Sequence, residues 1–236
     1  MKTLYNKAFL RRRIRSAKII VPIVQKLIHP KSVVDVGCGC GAILSQFGKN
    51  TEILGVEGPW FAKIDKKQYL ISKEKILYAD ITAPFNLRRK FDLVICLEVA
   101  EHLNKIYADV FISNITKLGS VILFSAAIPG QVAPHHVNLQ WPDYWAKKLS
   151  KKGFAPCDVI RKQIWNNKNI PHWYKQNTLL YIKKTELKKY KLKPEPNVMP
   201  LVHPELYNEY VKVVKTRTKA LESNDYLYGV FHPGQS

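Results

Sequence analysis

Nine consecutive residues, Val33-Val34-Asp35-Val36-Gly37-Cys38-Gly39-Cys40-Gly41, constrain this chain more than any other stretch. β-Branched residues lead into an acid, and three glycines then fall on alternate positions. Glycine lets the backbone turn with φ > 0 and lie directly against a ligand. An apolar strand that feeds such a loop is the start of a nucleotide-type site at the carboxyl end of a parallel sheet. Two spacings are met at once: Asp-x-Gly-x-Gly-x-Gly, and, because Ala42 follows, the dinucleotide pattern Gly-x-Gly-x-x-Gly/Ala. Asp35 separates them. A pyrophosphate is an anion and gains nothing from a carboxylate at the strand end, whereas a ligand with a cationic ammonium and sulfonium tolerates it.

The periodicity around this loop predicts alternating helices and strands. Residues 16–29 have the apolar spacing of an amphipathic helix, with Pro22 in its first turns, and Ser32–Val36 is the first strand. A helix is expected over Ala42–Phe47, a second strand over Ile53–Val56 ending at Glu57, a helix over Pro59–Ile71, and a third strand over Ile76–Tyr78 ending at Asp80. Phe91–Leu97 reads as a buried parallel strand, followed by a helix carrying Leu103, Ile106 and Val110, and Val121–Ala127 as a fifth strand. Pro142 opens a further helix, and Cys157–Ile160 and Thr178–Ile182 close the sheet. This order predicts an α/β fold with a doubly wound, mostly parallel seven-stranded sheet. Residues 1–15 form a basic, poorly ordered segment, and 185–236 a linker with a basic, helical C-terminal extension around Glu205–Glu222.

The acids at the strand ends carry chemistry. Glu57 stands 22 residues after Asp35, where a carboxylate accepts both hydroxyl protons of an adenosine ribose. Asp80, after the third strand, is placed to accept the adenine amino group, or else is a helix-capping or solvated acid. The stretch Phe91-Asp92-Leu93-Val94-Ile95-Cys96-Leu97-Glu98-Val99-Ala100-Glu101-His102-Leu103 follows the fourth strand.

Together these stretches resemble the class I S-adenosylmethionine (SAM) dependent methyltransferases of the small-molecule type, whose fourth strand carries a Glu-Val-Leu-Glu-His-Leu pattern. The resemblance covers residues 16–184. It includes Pro129-Gly130-Gln131, His136-Val137-Asn138, Trp141-Pro142-Asp143-Tyr144-Trp145 and Trp173-Tyr174-Lys175-Gln176-Asn177, a signature of a bacterial and viral subgroup. Val132–His135 and Leu139 depart from that subgroup, which has glycines and an acid there. The resemblance implies SAM as cofactor. Asp35, Gly37, Gly39 and Gly41 would shape the methionine side, Glu57 would hold the ribose and Asp80 the adenine, and Cys96 and Glu98 would line the wall below the methyl. His136, after the fifth strand, is the preferred general base, with His102 as a second catalytic candidate. Glu98-x-x-Glu101-His102, with His136, also permits a divalent ion, as related patterns do in quinone-biosynthetic and small-RNA methyltransferases. We take Glu101 and His102 instead to cap the next helix and brace the loop, and expect no metal ion.

Charge bears on the acceptor. Thirty-eight Lys and Arg against 18 Asp and Glu give a net charge of +20, densest at Arg11-Arg12-Arg13-Ile14-Arg15 and over Lys183–Lys193. A small-molecule or glycan acceptor is the first expectation. Nucleic acid, held by those two basic segments, is the alternative. A methyltransferase fold without turnover and an NAD-dependent oxidoreductase are further alternatives; Asp35 and the Glu98–His102 stretch disfavour the second. The four cysteines, Cys38, Cys40, Cys96 and Cys157, form no paired framework and fit a reduced, cytoplasmic setting. Ile19–Val24 is too short and too interrupted to span a bilayer.

Overall fold

The structure, a computed structural model, describes residues 7–63 and 68–231. The chain divides into two compact units, Met1–Leu201 and Val202–Ser236. The first is built on a seven-stranded sheet of order β3-β2-β1-β4-β5-β7-β6. Its strands are β1 (Ser32–Val36), β2 (Glu52–Glu57), β3 (Ile76–Tyr78), β4 (Leu93–Leu97), β5 (Val121–Ser125), β6 (Phe154–Cys157) and β7 (Leu179–Lys183). β1 to β5 pair in parallel; β7 runs antiparallel to both β5 and β6. The predicted mostly parallel sheet is therefore present. The order reverses between β1 and β4, which is where ligands sit in open α/β sheets.

The period-two alternation of the strands sorts side chains into two cores. Val33, Leu93, Ile95, Leu97, Val121 and Leu123 pack on one face with α1 (Lys7–Ile28). Val34, Val36, Val94, Cys96, Ile122 and Phe124 pack on the other with α2 (Ala108–Leu118) and α3 (Pro142–Lys151). Asp35 shares the face of Val33 and Ile95, the α1 side.

Several elements differ from their predicted form. α1 begins at Lys7, nine residues before the expected start, and continues through Pro22. Ala17, Ile20, Val21, Val24 and Ile28 keep one buried stripe on either side of the proline, and that packing offsets the missing N–H bond. The helix stops where His29 turns left-handed at φ 51° ahead of Pro30. After β1 there is no α-helix, only turns and a 3-10 segment, Leu44–Gln46. Gly41 sits at φ 78°, outside the helical region, with the Ile71 side chain directly against it. Pro59–Lys63 is likewise a 3-10 turn, and the remainder of the expected helix is in part outside the described residues. The helix after β4 starts at Ala108; Ala100–His102 and Lys105–Tyr107 are 3-10 turns. β6 lies three residues earlier than expected.

Two short helices, α4 (Arg161–Ile164) and α5 (His172–Asn177), fill the path from β6 to β7. Arg161, fully buried, pairs with Asp158 at 2.7 Å and donates to the carbonyls of Gln176 and Met199. The stretch 185–201, expected as linker, belongs to the first unit. It opens with a short helix, α6 (Leu187–Tyr190), and the Glu195 N–H donates to Pro156 O at 2.7 Å. The second unit is dominated by α7 (Pro204–Phe231). Within it the Glu205 N–H donates to His203 Nδ1 at 3.2 Å. Among the described residues, no helix is long and apolar enough to cross a membrane.

Candidate active site

The carboxyl ends of β1, β2 and β4 bring most of the sequence-selected residues together. Gly37, Gly39 and Gly41 all take positive φ, at 80°, 54° and 78°. The Gly37 N–H donates to Val56 O at 2.8 Å, so the loop folds back over β2. Glu57, at the end of β2, accepts from the Gly39 N–H through Oε2 at 2.7 Å and from the Gly58 N–H through Oε1 at 2.8 Å. One carboxylate thus fixes the crown of the glycine loop and its own strand end, and each oxygen retains a second lone pair for a ligand. A Cβ on Gly37 would stand 2.3 Å from a Val99 methyl. The glycine loop and the Glu98–His102 stretch are therefore in contact through that missing side chain.

Asp35 is 2% exposed, and its Oδ2 has no hydrogen-bond partner. Burial, with Glu57's charge adding to it, pushes the carboxyl from its ordinary 3.8 up to about 7. Glu98, immediately after β4, takes φ 56°, a left-handed conformation that a non-glycine residue adopts only when its surroundings impose it. Its N–H donates to both the carbonyl and the hydroxyl oxygen of Ser125, at 3.0 and 3.1 Å. Burial raises the Glu98 carboxyl, while Ser125 and Asn177 favour its charged form.

Glu101 is wholly buried, and neither carboxylate oxygen has a hydrogen-bond partner. Burial first and Glu98's charge second raise it well above the usual range. The nearby N–H groups of Glu101 and Ala127 ease this without reaching hydrogen-bond geometry. The carboxylate caps no helix, contrary to expectation. Bracing comes instead from the backbone: Glu101 O accepts from the N–H groups of Val137 and Asn138 at 2.9 and 3.0 Å. His102 Nδ1 meets His135 O at 3.2 Å and His136 Nδ1 meets Gln131 O at 2.7 Å. Each carbonyl can only accept, so both imidazoles carry a proton on Nδ1, and in the neutral ring Nε2 is the acceptor atom. The rings pack edge to face with centroids 4.8 Å apart. Glu101, His102 and His136 offer ligand atoms within 4.8 Å of one another.

No family model and no curated protein matches the chain. Solved structures do. The sugar N-methyltransferase KedS8 from Streptoalloteichus aligns with a TM-score of 0.55 at 15% identity, over 73% of this chain and 88% of its own. CalS10 from Micromonospora echinaspora, a SAM-bound amino pentose methyltransferase, gives 0.55 at 12%, over 72% and 91%. Magnesium protoporphyrin IX methyltransferase from Synechocystis, with bound SAH, gives 0.53 at 17%, over 75% and 88%. The chain has the class I methyltransferase fold.

Within that fold, two of the sequence-selected residues stand apart from the buried acids. Asp80 is exposed, and its Oδ1 accepts from the Thr82 N–H at 2.8 Å and the Thr82 hydroxyl at 2.6 Å. Those bonds lower its carboxyl and make it the cap of a turn. Cys96 is fully buried in the α2-side core, where burial holds its thiol far from ionisation.

The sequence reading missed Arg13 altogether as a site residue. It sits one turn before Ala17 on the stripe of α1 that packs on the sheet, and is half-buried. Arg12, beside it, lies over the Trp173 ring at 5.5 Å, which seats this turn of α1 against α5. The Arg13 guanidinium acts to lower Asp35, Glu57, Glu98 and Glu101 alike, against the larger effect of burial. Asn114 is a second omission: buried in α2, it donates to Ala83 O at 2.9 Å and accepts from the Phe85 N–H, holding the loop after β3.

Proposed function

We propose that the chain is a SAM-dependent methyltransferase acting on an oxygen or nitrogen of a small-molecule or glycan acceptor. The observation that carries this is Asp35: a buried carboxyl with an unpartnered oxygen, beside three left-handed glycines, suits a ligand that brings its own positive charge. The Asp35 carboxyl has an unpartnered oxygen for a cation, and Glu57 has lone pairs for ribose hydroxyls, so the residues present fit SAM. Arg13, whose charge reaches all four buried acids, would be the cation to balance a methionine carboxylate. When bound, SAM supplies an electrophilic methyl, and the C–S electron pair returns to sulfur as the acceptor's lone pair takes it. The chain's part is to hold the acceptor in line and exclude water, with His136 Nε2 receiving the proton of a hydroxyl acceptor.

The test is transfer of labelled methyl from SAM into a cell extract, with Gly39→Arg protein as the blank and half of the extract nuclease-treated. Label is expected in nuclease-resistant material. No transfer would overturn the enzyme reading, and label lost with nuclease would move the acceptor to nucleic acid.

A pH dependence follows from Asp35. The folded free protein holds this proton more tightly than the unfolded chain does, up to about 7 against 3.8. The stability associated with it is thus complete at low pH and declines as pH rises through about 7. A cationic ligand returns the group toward carboxylate. SAM binding below pH 7 is therefore expected to release a proton, and its affinity to rise with pH before levelling. Calorimetry in two buffers of different ionisation enthalpy measures this; equal heats would contradict it.

The cluster of Glu101, His102 and His136 supports a second reading, exclusive of His136 as proton acceptor: a divalent cation on the acceptor side. An orphan carboxylate and two acceptor Nε2 atoms, each imidazole braced by a carbonyl, form a suitable donor set. Such an ion would supply Lewis acidity at a bound hydroxyl. Titration with Co²⁺ is expected to give a visible absorption band that Glu101→Gln removes; an unchanged band would sink this assignment.

A further inference from the structure

A buried polar network lies where α5 meets the loop after β5. Gln131 Oε1 accepts from three donors: the Ile128 N–H at 2.8 Å, the Gln176 amide at 2.9 Å and the Asn177 amide at 2.9 Å. The same Asn177 nitrogen reaches Glu98 Oε1 at 3.3 Å. Both of its neighbours are acceptors, which fixes the orientation of the amide. Gln131, Gln176 and Asn177 are all buried. The Gln131 N–H closes the loop onto Ile128 O at 3.0 Å, and Gly130 completes the turn at φ 96°. The backbone carbonyl of Gln131 then lies 2.7 Å from His136 Nδ1.

We propose that Gln131 is a positioning residue for the acceptor side of the site. Its side-chain oxygen seats the 128–131 loop on α5, so that its backbone carbonyl holds His136 in the Nδ1–H form, and Asn177 ties that same oxygen to Glu98. The assignment rests on the reading of His136 given above. A neutral imidazole in water prefers its proton on Nε2, the form in which the atom facing the acceptor is already occupied. The loop reverses this preference and leaves Nε2 able to take a proton. An apolar side chain at 131 would strand three buried donors, and the loop would have to move to satisfy them.

Proton–nitrogen spectra of the imidazoles in the full ¹⁵N-labelled chain, free of cofactor and metal and well above the imidazole titration range, test this. His136 is assigned by its loss in His136→Gln. Wild type is expected to show the Nδ1–H form in large excess. Gln131→Met, which keeps length but removes the acceptor, is expected to revert to the Nε2–H form. Gln131→Glu, which keeps an acceptor oxygen, is expected to retain Nδ1–H. If the Met variant does not fold, Gln131→Asn replaces it, because its shorter arm cannot reach Ile128 and α5 together. Wild type in the Nε2–H form, or Gln131→Met still in the Nδ1–H form, would overturn the proposal. SAM titration of the same samples separates the two readings. Affinity within about threefold of wild type is expected for Gln131→Met, since Gly37–Gly41 and Glu57 lie outside the network. Joint loss of the tautomer, SAM binding and melting temperature would indicate a general structural role and also overturn it. Failure of wild type to bind SAM would count against the methyltransferase reading and leave the tautomer result standing.

Discussion

Glu57→Ala is expected to weaken SAM binding at least ~100-fold while the sheet remains folded, because two losses fall on one position. The first is the contact to the ribose hydroxyls proposed above. The second is the anchoring of the loop: the Gly39 and Gly58 N–H groups, at 2.7 and 2.8 Å from the carboxylate, lose their acceptor. A ~100-fold loss of affinity is about 2.7 kcal/mol, and the unpaired, buried Gly39 N–H also costs the free protein about 1–3 kcal/mol of stability. Glu57→Gln keeps one acceptor oxygen and is expected to fall between the two. Calorimetric titration alongside thermal melting measures both quantities. Near-wild-type affinity in the Ala variant would mean that this carboxylate does not face the ligand.

Gly37→Ala is expected to destabilise the fold by roughly 2–5 kcal/mol, the sum of two separate penalties. A left-handed conformation at φ 80° disfavours any L side chain by roughly 1–2 kcal/mol. The added methyl would also stand 2.3 and 2.9 Å from the two methyls of Val99, and overpacking of this kind typically costs about 1–3 kcal/mol. Val99→Ala removes the second penalty and leaves the first. In a double-mutant cycle the pair is therefore expected to show about 1–3 kcal/mol of favourable coupling by denaturant unfolding. Additive effects would mean that the glycine loop and the Glu98–His102 stretch are not in contact. That contact gives a physical reason for the two motifs to occur together: one chain segment lacks a side chain where the other places a valine.

What the sequence disclosed and what it concealed divide along contact distance. β1, the glycine loop and Glu57 were legible because an apolar run, a glycine spacing and a strand-end acid are local signals. The sheet followed from alternation of such runs. Where an α-helix was expected after β1 there are turns and a 3-10 segment, and Gly41 turns against Ile71, thirty residues downstream, a contact of which local pattern carries no trace. Arg13 was hidden inside Arg11–Arg15, where five residues look like one basic run; only the buried stripe of α1 distinguishes this half-buried arginine from its exposed neighbours. Asp80 looked equivalent to Glu57 at the end of a strand, yet Thr82 engages its carboxylate in a turn. Gln131 and Asn177 were visible as parts of a signature, but no sequence signal announced that their amides meet across 46 positions. The Lys- and Pro-rich stretch 185–201 read as linker because its composition is polar; its tie to β6 is a backbone hydrogen bond, to which composition is blind.

The most direct test of the central claim is calorimetric titration of the full chain with SAM and, separately, with NAD⁺. Gly39→Arg serves as the control, since Gly39 is at φ 54° with its N–H on Glu57. The expected result is saturable one-to-one binding of SAM, none of NAD⁺, and loss of SAM binding in a folded Gly39→Arg protein. Preference for NAD⁺, or SAM binding that survives Gly39→Arg unchanged, would contradict it.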